Sequence, residues 1–182
     1  MKSIYILLTK SETITSRMIR LTTAAKYTHA SLSLEPDLSP LYSFARRFVH
    51  LPLPAGLCTE SLHKGYFKRY DEIPCALYEL EVPDSVWDAV RADIEQMMAD
   101  APSYRFSVMG LIFCGLKVPV HRRNRYFCSE FVSEVLHRNN ALILPKKPSL
   151  MSPQDYSEMS ELKCLYEGAL RSLRTQYLLQ SV

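Results

Sequence analysis

At 182 residues, 47% of them hydrophobic and 23% charged, the chain suits one globular domain with its own core, and its net charge of +3 is too small to argue for nucleic-acid binding. Its five cysteines (Cys58, Cys75, Cys114, Cys128 and Cys164) are odd in number, widely spaced and free of any CxxC pair, which excludes a zinc ribbon or a thioredoxin motif. The apolar run at the N-terminus is too short for a signal-peptide core or a membrane span, so the expectation is a cytoplasmic protein with reduced thiols, no stable membrane insertion and no cofactor.

Ile4 to Leu8 reads as a buried strand. Ile14, Met18, Leu21 and Ala25 form a helical stripe that starts near Ser11 or Thr13. Ala30, Leu32 and Leu34 alternate, which predicts a strand with one buried face and His29 at its entry. Pro36 to Pro40 is turn chemistry, and Leu41 to Arg47 is the returning strand of a hairpin. An antiparallel return brings Ser43 or its neighbours toward His29, without fixing the register.

Residues 48–71 lack periodicity and are broken by Pro52, Pro54, Gly56 and Gly65. They read as a long loop, a lid over a substrate. His50, Cys58, Glu60 and His63 lie in it, but their spacing matches no metal-ligand pattern, so no metal site is expected. Ala76 to Val82 alternates as a strand, and Asp84 is placed to cap the next helix, whose core face is Val86, Trp87, Val90, Ile94, Met97 and Met98. Pro102 stops that helix. Tyr104 to Leu116 is mostly apolar and predicts a second, buried helix; His121 to Arg125 follows as a short basic loop.

Phe127, Phe131, Val132, Val135 and Leu136 have the spacing of a helix packed on a core, with Cys128 in its first turn. Backbone N–H groups at a helix start lack intrahelical partners and favour an anion. A thiol held there ionises more easily than a free one, and the same N–H groups suit the oxyanion of an acyl transfer. The alternative is a small buried hydrophobe. Asn139-Asn140 closes this helix, Ser152-Pro153 starts another, and Leu162 to Tyr166 with Ala169 to Leu173 predict a final strand pair.

Two groups are thus candidates for catalysis: a histidine opening a strand and a cysteine opening a helix. A neutral imidazole beside a thiol can take its proton and later give it to a leaving group. The stretches Thr28-His29-Ala30-Ser31-Leu32, Leu41-Tyr42-Ser43-Phe44 and Tyr126-Phe127-Cys128-Ser129-Glu130-Phe131-Val132 resemble, in that order, the circularly permuted NlpC-type branch of the papain-like superfamily. The likeness is closest to its YiiX-like group and covers about residues 3 to 168.

That resemblance implies an α+β fold over a single domain, residues 1–182, with a small antiparallel sheet packed on the cysteine helix. It implies Cys128 as nucleophile, His29 as base and Ser43 as the third member, with Glu60 of the lid as a substitute. Oxyanion donors would be the Cys128 backbone N–H and a group from Tyr126 or the first strand. Tyr126, Ser129, Tyr42 and Glu60 are the expected substrate-binding positions. The implied activity is a thiol hydrolase cleaving an amide or peptide bond through a thioester. The alternatives are an acyltransferase or lipase on lipid-like esters, and a silent binding module with the same cleft. Partners are accordingly a small-molecule, peptide or lipid-like substrate, and no nucleic acid.

Overall fold

A strand that is apolar on both faces belongs in the middle of a sheet. Strand β1 (Lys2–Thr9) carries Ile4, Ile6 and Leu8 on one face and Leu7 on the other, all fully buried. The computed structural model describes residues 1–10, 25–46, 55–70 and 72–180. In it β1 lies between β2 (His29–Ser33) and β5 (Pro74–Val82), antiparallel to both. Strand β3 (Leu41–Arg46) joins β2, and β4 (Ala55–Glu60) joins β3. The short strands β6 (Arg105–Phe106) and β7 (Arg125–Tyr126), paired in parallel, extend that edge. Strand β8 (Lys163–Ala169) closes the other. Among the described residues the sheet has eight strands, in the order β7-β6-β4-β3-β2-β1-β5-β8.

Helices cover the face that carries Ile4, Ile6 and Leu8. Helix α2 (Asp84–Ala99) buries Trp87, Val90, Ile94 and Met97 there, the stripe its spacing predicts. Helix α4 (Cys128–Arg138) buries Phe131, Val132, Val135 and Leu136 completely, each contributing about 1.5–3 kcal/mol of apolar burial. The other face packs Leu7, Leu41 and Leu77 against Leu62 and Phe67 of the 61–70 segment, and against Leu170 and Leu173 of helix α6 (Leu170–Gln180). The fold is therefore α+β, with a mixed sheet built mainly from antiparallel pairs.

Several expectations change. The helix expected to start near Ser11 or Thr13 lies almost wholly outside the described residues. The unpatterned stretch 48–71 contains strand β4 and a short helix α1 (Gly65–Arg69), so it is not one long loop. A two-residue period is hard to see in Ala55-Gly56-Leu57-Cys58-Thr59-Glu60, because a glycine, small side chains and a buried carboxylate share the strand. Pro83, not Asp84, occupies the cap of α2, and Asp84 is its first helical residue. The final strand pair is one strand followed by helix α6. Helix α3 (Val108–Gly115) forms within Tyr104–Leu116 but is not buried: Val108, Met109 and Ile112 are exposed.

Candidate active site

Cross-strand partners in an antiparallel sheet point to the same face. The pairs Thr9–His29 and Leu7–Ser31 put His29 and Ser31 on the face opposite Ala30 and Leu32. On the next strands, Leu32 pairs with Tyr42, Ser43 with Cys58 and Leu41 with Glu60. Ser43, Cys58 and Glu60 therefore share the face of His29 and Ser31. Polar side chains at alternate positions of three neighbouring strands make one cluster.

Its centre is Glu60. Atom Oε2 lies 2.8 Å from His29 Nε2, and accepts from the Ser31 hydroxyl at 3.0 Å and the Ser43 hydroxyl at 2.5 Å. Only 13% of the His29 side chain and 14% of the Glu60 side chain reach solvent. The Phe67 ring of α1 lies 6.5 Å from the imidazole, centroid to centroid, and α1 thus covers the histidine from the side of the second core.

Cys128 is the first residue of α4, after Phe127 at the cap. Its thiol is close enough to His29 to feel that ring, and the backbone N–H groups of Ala30 and Ser129 also act on its sulfur. Because Nε2 faces Glu60, Nδ1 is the ring nitrogen left to exchange a proton with the thiol. With Nε2 donating to the carboxylate, the ring in its neutral form carries its lone pair at Nδ1, the tautomer a general base requires.

The three charges depend on one another. Burial alone would disfavour a charged His29, but the Glu60 charge and hydrogen bonds to Cys128 and Glu60 outweigh it and raise the imidazole well above its usual value. Burial alone would raise Glu60; the His29 charge, with hydrogen bonds from His29, Ser43 and Ser31, holds it below the usual carboxylate range. Burial would also raise Cys128, yet the His29 hydrogen bond and charge, then the N–H groups of Ala30 and Ser129, bring it below the ordinary thiol value. The favoured state is thiolate, imidazolium and carboxylate in a row. Cys58, on the Glu60 face, is driven the other way, by burial and by the Glu60 charge. Burial pushes Cys75 up to about 12 and Cys114 up to about 11.

The sequence-predicted residues divide accordingly. His29, Cys128 and Glu60 come together. Ser43 joins them one bond removed, because it binds the carboxylate and Glu60 takes the place beside the imidazole. A serine at the third position gives way to a glutamate because β4, read as loop, is a strand paired to β3. Tyr42 lies on the other face, where it feels Glu35 and Glu95, and is not part of this cluster. The Ser129 hydroxyl is used by the Met151 carbonyl at 2.8 Å; only its backbone N–H points to the sulfur. The Tyr126 ring is packed between Phe44, Tyr104 and His121, and its carbonyl accepts from the Ser107 N–H. Ser31 was overlooked, though its position two residues after His29 on a strand puts it on the same face.

Among the described residues no group of three His, Cys, Asp or Glu side chains is arranged to hold a metal ion. Nor is any helix among them long and apolar enough to cross a membrane. Compared with protein-family models, curated proteins and solved structures, the chain finds no match.

Proposed function

We propose that the protein is a thiol hydrolase that cleaves an amide or peptide bond, and that its fold is a circularly permuted papain-like one of the NlpC type. The observation that carries this reading is the meeting of Cys128, His29 and Glu60, with His29 bonded to Glu60 at 2.8 Å and acting on the Cys128 thiol. The Cys128 thiolate attacks the carbonyl carbon, a C–S bond forms and the carbonyl electrons move to oxygen. Collapse of that oxyanion breaks the C–N bond, and the departing amine takes the proton from His29 Nδ1. Water then attacks the thioester and gives a proton to His29; the acid leaves and the thiolate returns. Glu60 holds the ring in the useful tautomer and offsets the imidazolium charge, as a carboxylate can and a serine cannot. Ser31 and Ser43 hold the carboxylate. The backbone N–H groups of Ser129, at the start of α4, and of Ala30, on β2, face the reacting sulfur, where an oxyanion would form beside them.

Lipid-like esters are the second substrate class. The exposed apolar side chains of α3, next in space to the strand that leads to Cys128, favour it. The carboxylate of Glu60 beside His29 counts against the silent-module reading.

The deciding experiment is the pH dependence of Cys128 alkylation in wild type and in His29→Ala. The expected result is a thiolate reactive well below pH ~8.5, the free-thiol value, and loss of that reactivity with the histidine. A profile near the free-thiol value, unchanged by His29→Ala, rules the hydrolase out.

A further inference from the structure

We propose that helix α3 and the loop after it form a docking surface for an anionic lipid bilayer. An apolar helix of a globular protein is expected to bury its apolar face. Helix α3 does not. Val108, Met109 and Ile112 are exposed, and Leu116 and Val118 beyond its end are 65% and 44% exposed. Val108, Ile112 and Leu116 follow at intervals of four, which is one stripe along a helix. Isolated exposed apolar residues need no explanation, but a contiguous stripe does.

Charge identifies what covers it. Residues 104–125 contain Arg105, Lys117, Arg122, Arg123 and Arg125, and no Asp or Glu. Lys117, Arg122 and Arg123 are exposed and make no ion pair among the described residues. An apolar stripe followed directly in the chain by unpaired cations matches hydrocarbon beneath anionic headgroups. A nucleic acid would match the cations and not the stripe. A second copy docked through the same patch would set these cations against one another, since a two-fold interface pairs like with like. At about 12 Å the helix lies in the interface and does not span it.

The surface is built rather than frayed. The Ser107 hydroxyl caps α3 through the Gly110 N–H at 3.0 Å, and the Ser107 N–H binds the Tyr126 carbonyl at 2.9 Å. A Cβ at Gly110 would meet Ser107 Oγ at 2.6 Å, so the close approach requires glycine. His121 packs edge-on against Tyr126, with centroids 5.6 Å apart, and ties down the basic loop. Docking does not depend on the thiol chemistry, and a catalytically dead chain should dock as well.

The test is cosedimentation of the full chain with vesicles of phosphatidylcholine alone and of phosphatidylcholine mixed with phosphatidylglycerol. The expected result is binding to the mixed vesicles, weakened but not abolished by salt. Arg122→Ala and Arg123→Ala should each weaken it about fivefold. Ile112→Glu should weaken it about tenfold or more, with the circular dichroism spectrum and Cys128 alkylation unchanged. Leu116→Glu, at a more exposed position, gives the same readout should Ile112→Glu fold poorly. The proposal is overturned if the wild type stays in the supernatant, if these variants bind like the wild type, or if the wild type is a dimer that Ile112→Glu dissolves.

Discussion

Glu60 Oε2 lies 2.8 Å from His29 Nε2, joining the last residue of one strand to the first residue of another across the strand between them. Ser31 and Ser43 donate to that same oxygen, which fixes the carboxylate before any substrate arrives. Glu60→Gln keeps the shape and removes the charge. The His29 pKa should then fall and the Cys128 thiolate be lost at neutral pH. The alkylation rate at pH 6 is expected to drop roughly a hundredfold or more, the scale on which a positioned base and its orienting acid act. Ser43→Ala should cost far less, because Ser31 and His29 still hold the oxygen; a Ser43→Ala loss as large as that of Glu60→Gln would return Ser43 to the third position.

The thiols make an internal control. Cys128 is 5% exposed, so accessibility alone predicts slow modification. Its depressed pKa predicts the reverse. With limiting iodoacetamide at pH 6, peptide mapping should find Cys128 modified, while Cys75 and Cys114, raised to about 12 and about 11, stay unmodified through pH 9. Modification of Cys75 or Cys114 ahead of Cys128 would contradict the charge arrangement around His29.

Glu130 should make stability fall as pH rises. It sits on α4 at 1% exposure; Oε2 accepts from the Phe127 N–H, and Oε1 has no hydrogen-bond partner, the His121 Nδ1 lying 3.6 Å away. Burial raises its carboxyl to about 7. A raised acid is protonated in the native chain where the unfolded chain has already ionised. Its stabilising share is thus complete below about pH 4.3 and is lost as pH rises through about 7. Glu130→Gln should flatten this slope, gaining on the order of 3 kcal/mol over wild type at pH 8 relative to pH 4. Denaturant melts at the two pH values measure it, and parallel wild-type and variant slopes would show that Glu130 titrates alike in the folded and unfolded chain.

Helix α4 is also fixed from behind. The Tyr156 hydroxyl, fully buried on helix α5 (Pro153–Tyr156), donates to the Ser129 carbonyl at 3.0 Å and meets the Ser133 hydroxyl at 2.5 Å. Tyr156→Phe strands a buried serine hydroxyl and should cost about 1–3 kcal/mol in a denaturant melt. The pH of half-maximal Cys128 alkylation should move little, because the Tyr156 hydroxyl bonds Ser133 and the Ser129 carbonyl and neither Cys128 nor His29.

The elements with clear periodicity were legible in the sequence. The β1, β5, α2 and α4 patterns follow from repeated apolar spacing, and the Ser152-Pro153 start follows from cap chemistry, with Ser152 bonded to Asp155 at 2.8 Å. Cys128 and His29 were legible because each opens an element. Glu60 was harder to place. Its strand lacks alternation, and its role depends on pairing with β3, a tertiary fact that overrides local pattern. The exposure of α3 was illegible for a related reason: spacing tells which residues share a face, and not whether anything covers that face.

The order of His29, Glu60 and Cys128 along the chain has a consequence for biosynthesis. His29 and Glu60 leave the ribosome first and Cys128 follows, yet the sulfur gains its partner only when α4 seats against β2. A nascent chain therefore carries an ordinary thiol, chemically quiet among the acyl donors around it. Reactivity near neutral pH then reports the finished fold, because the thiol is activated only once α4 has packed.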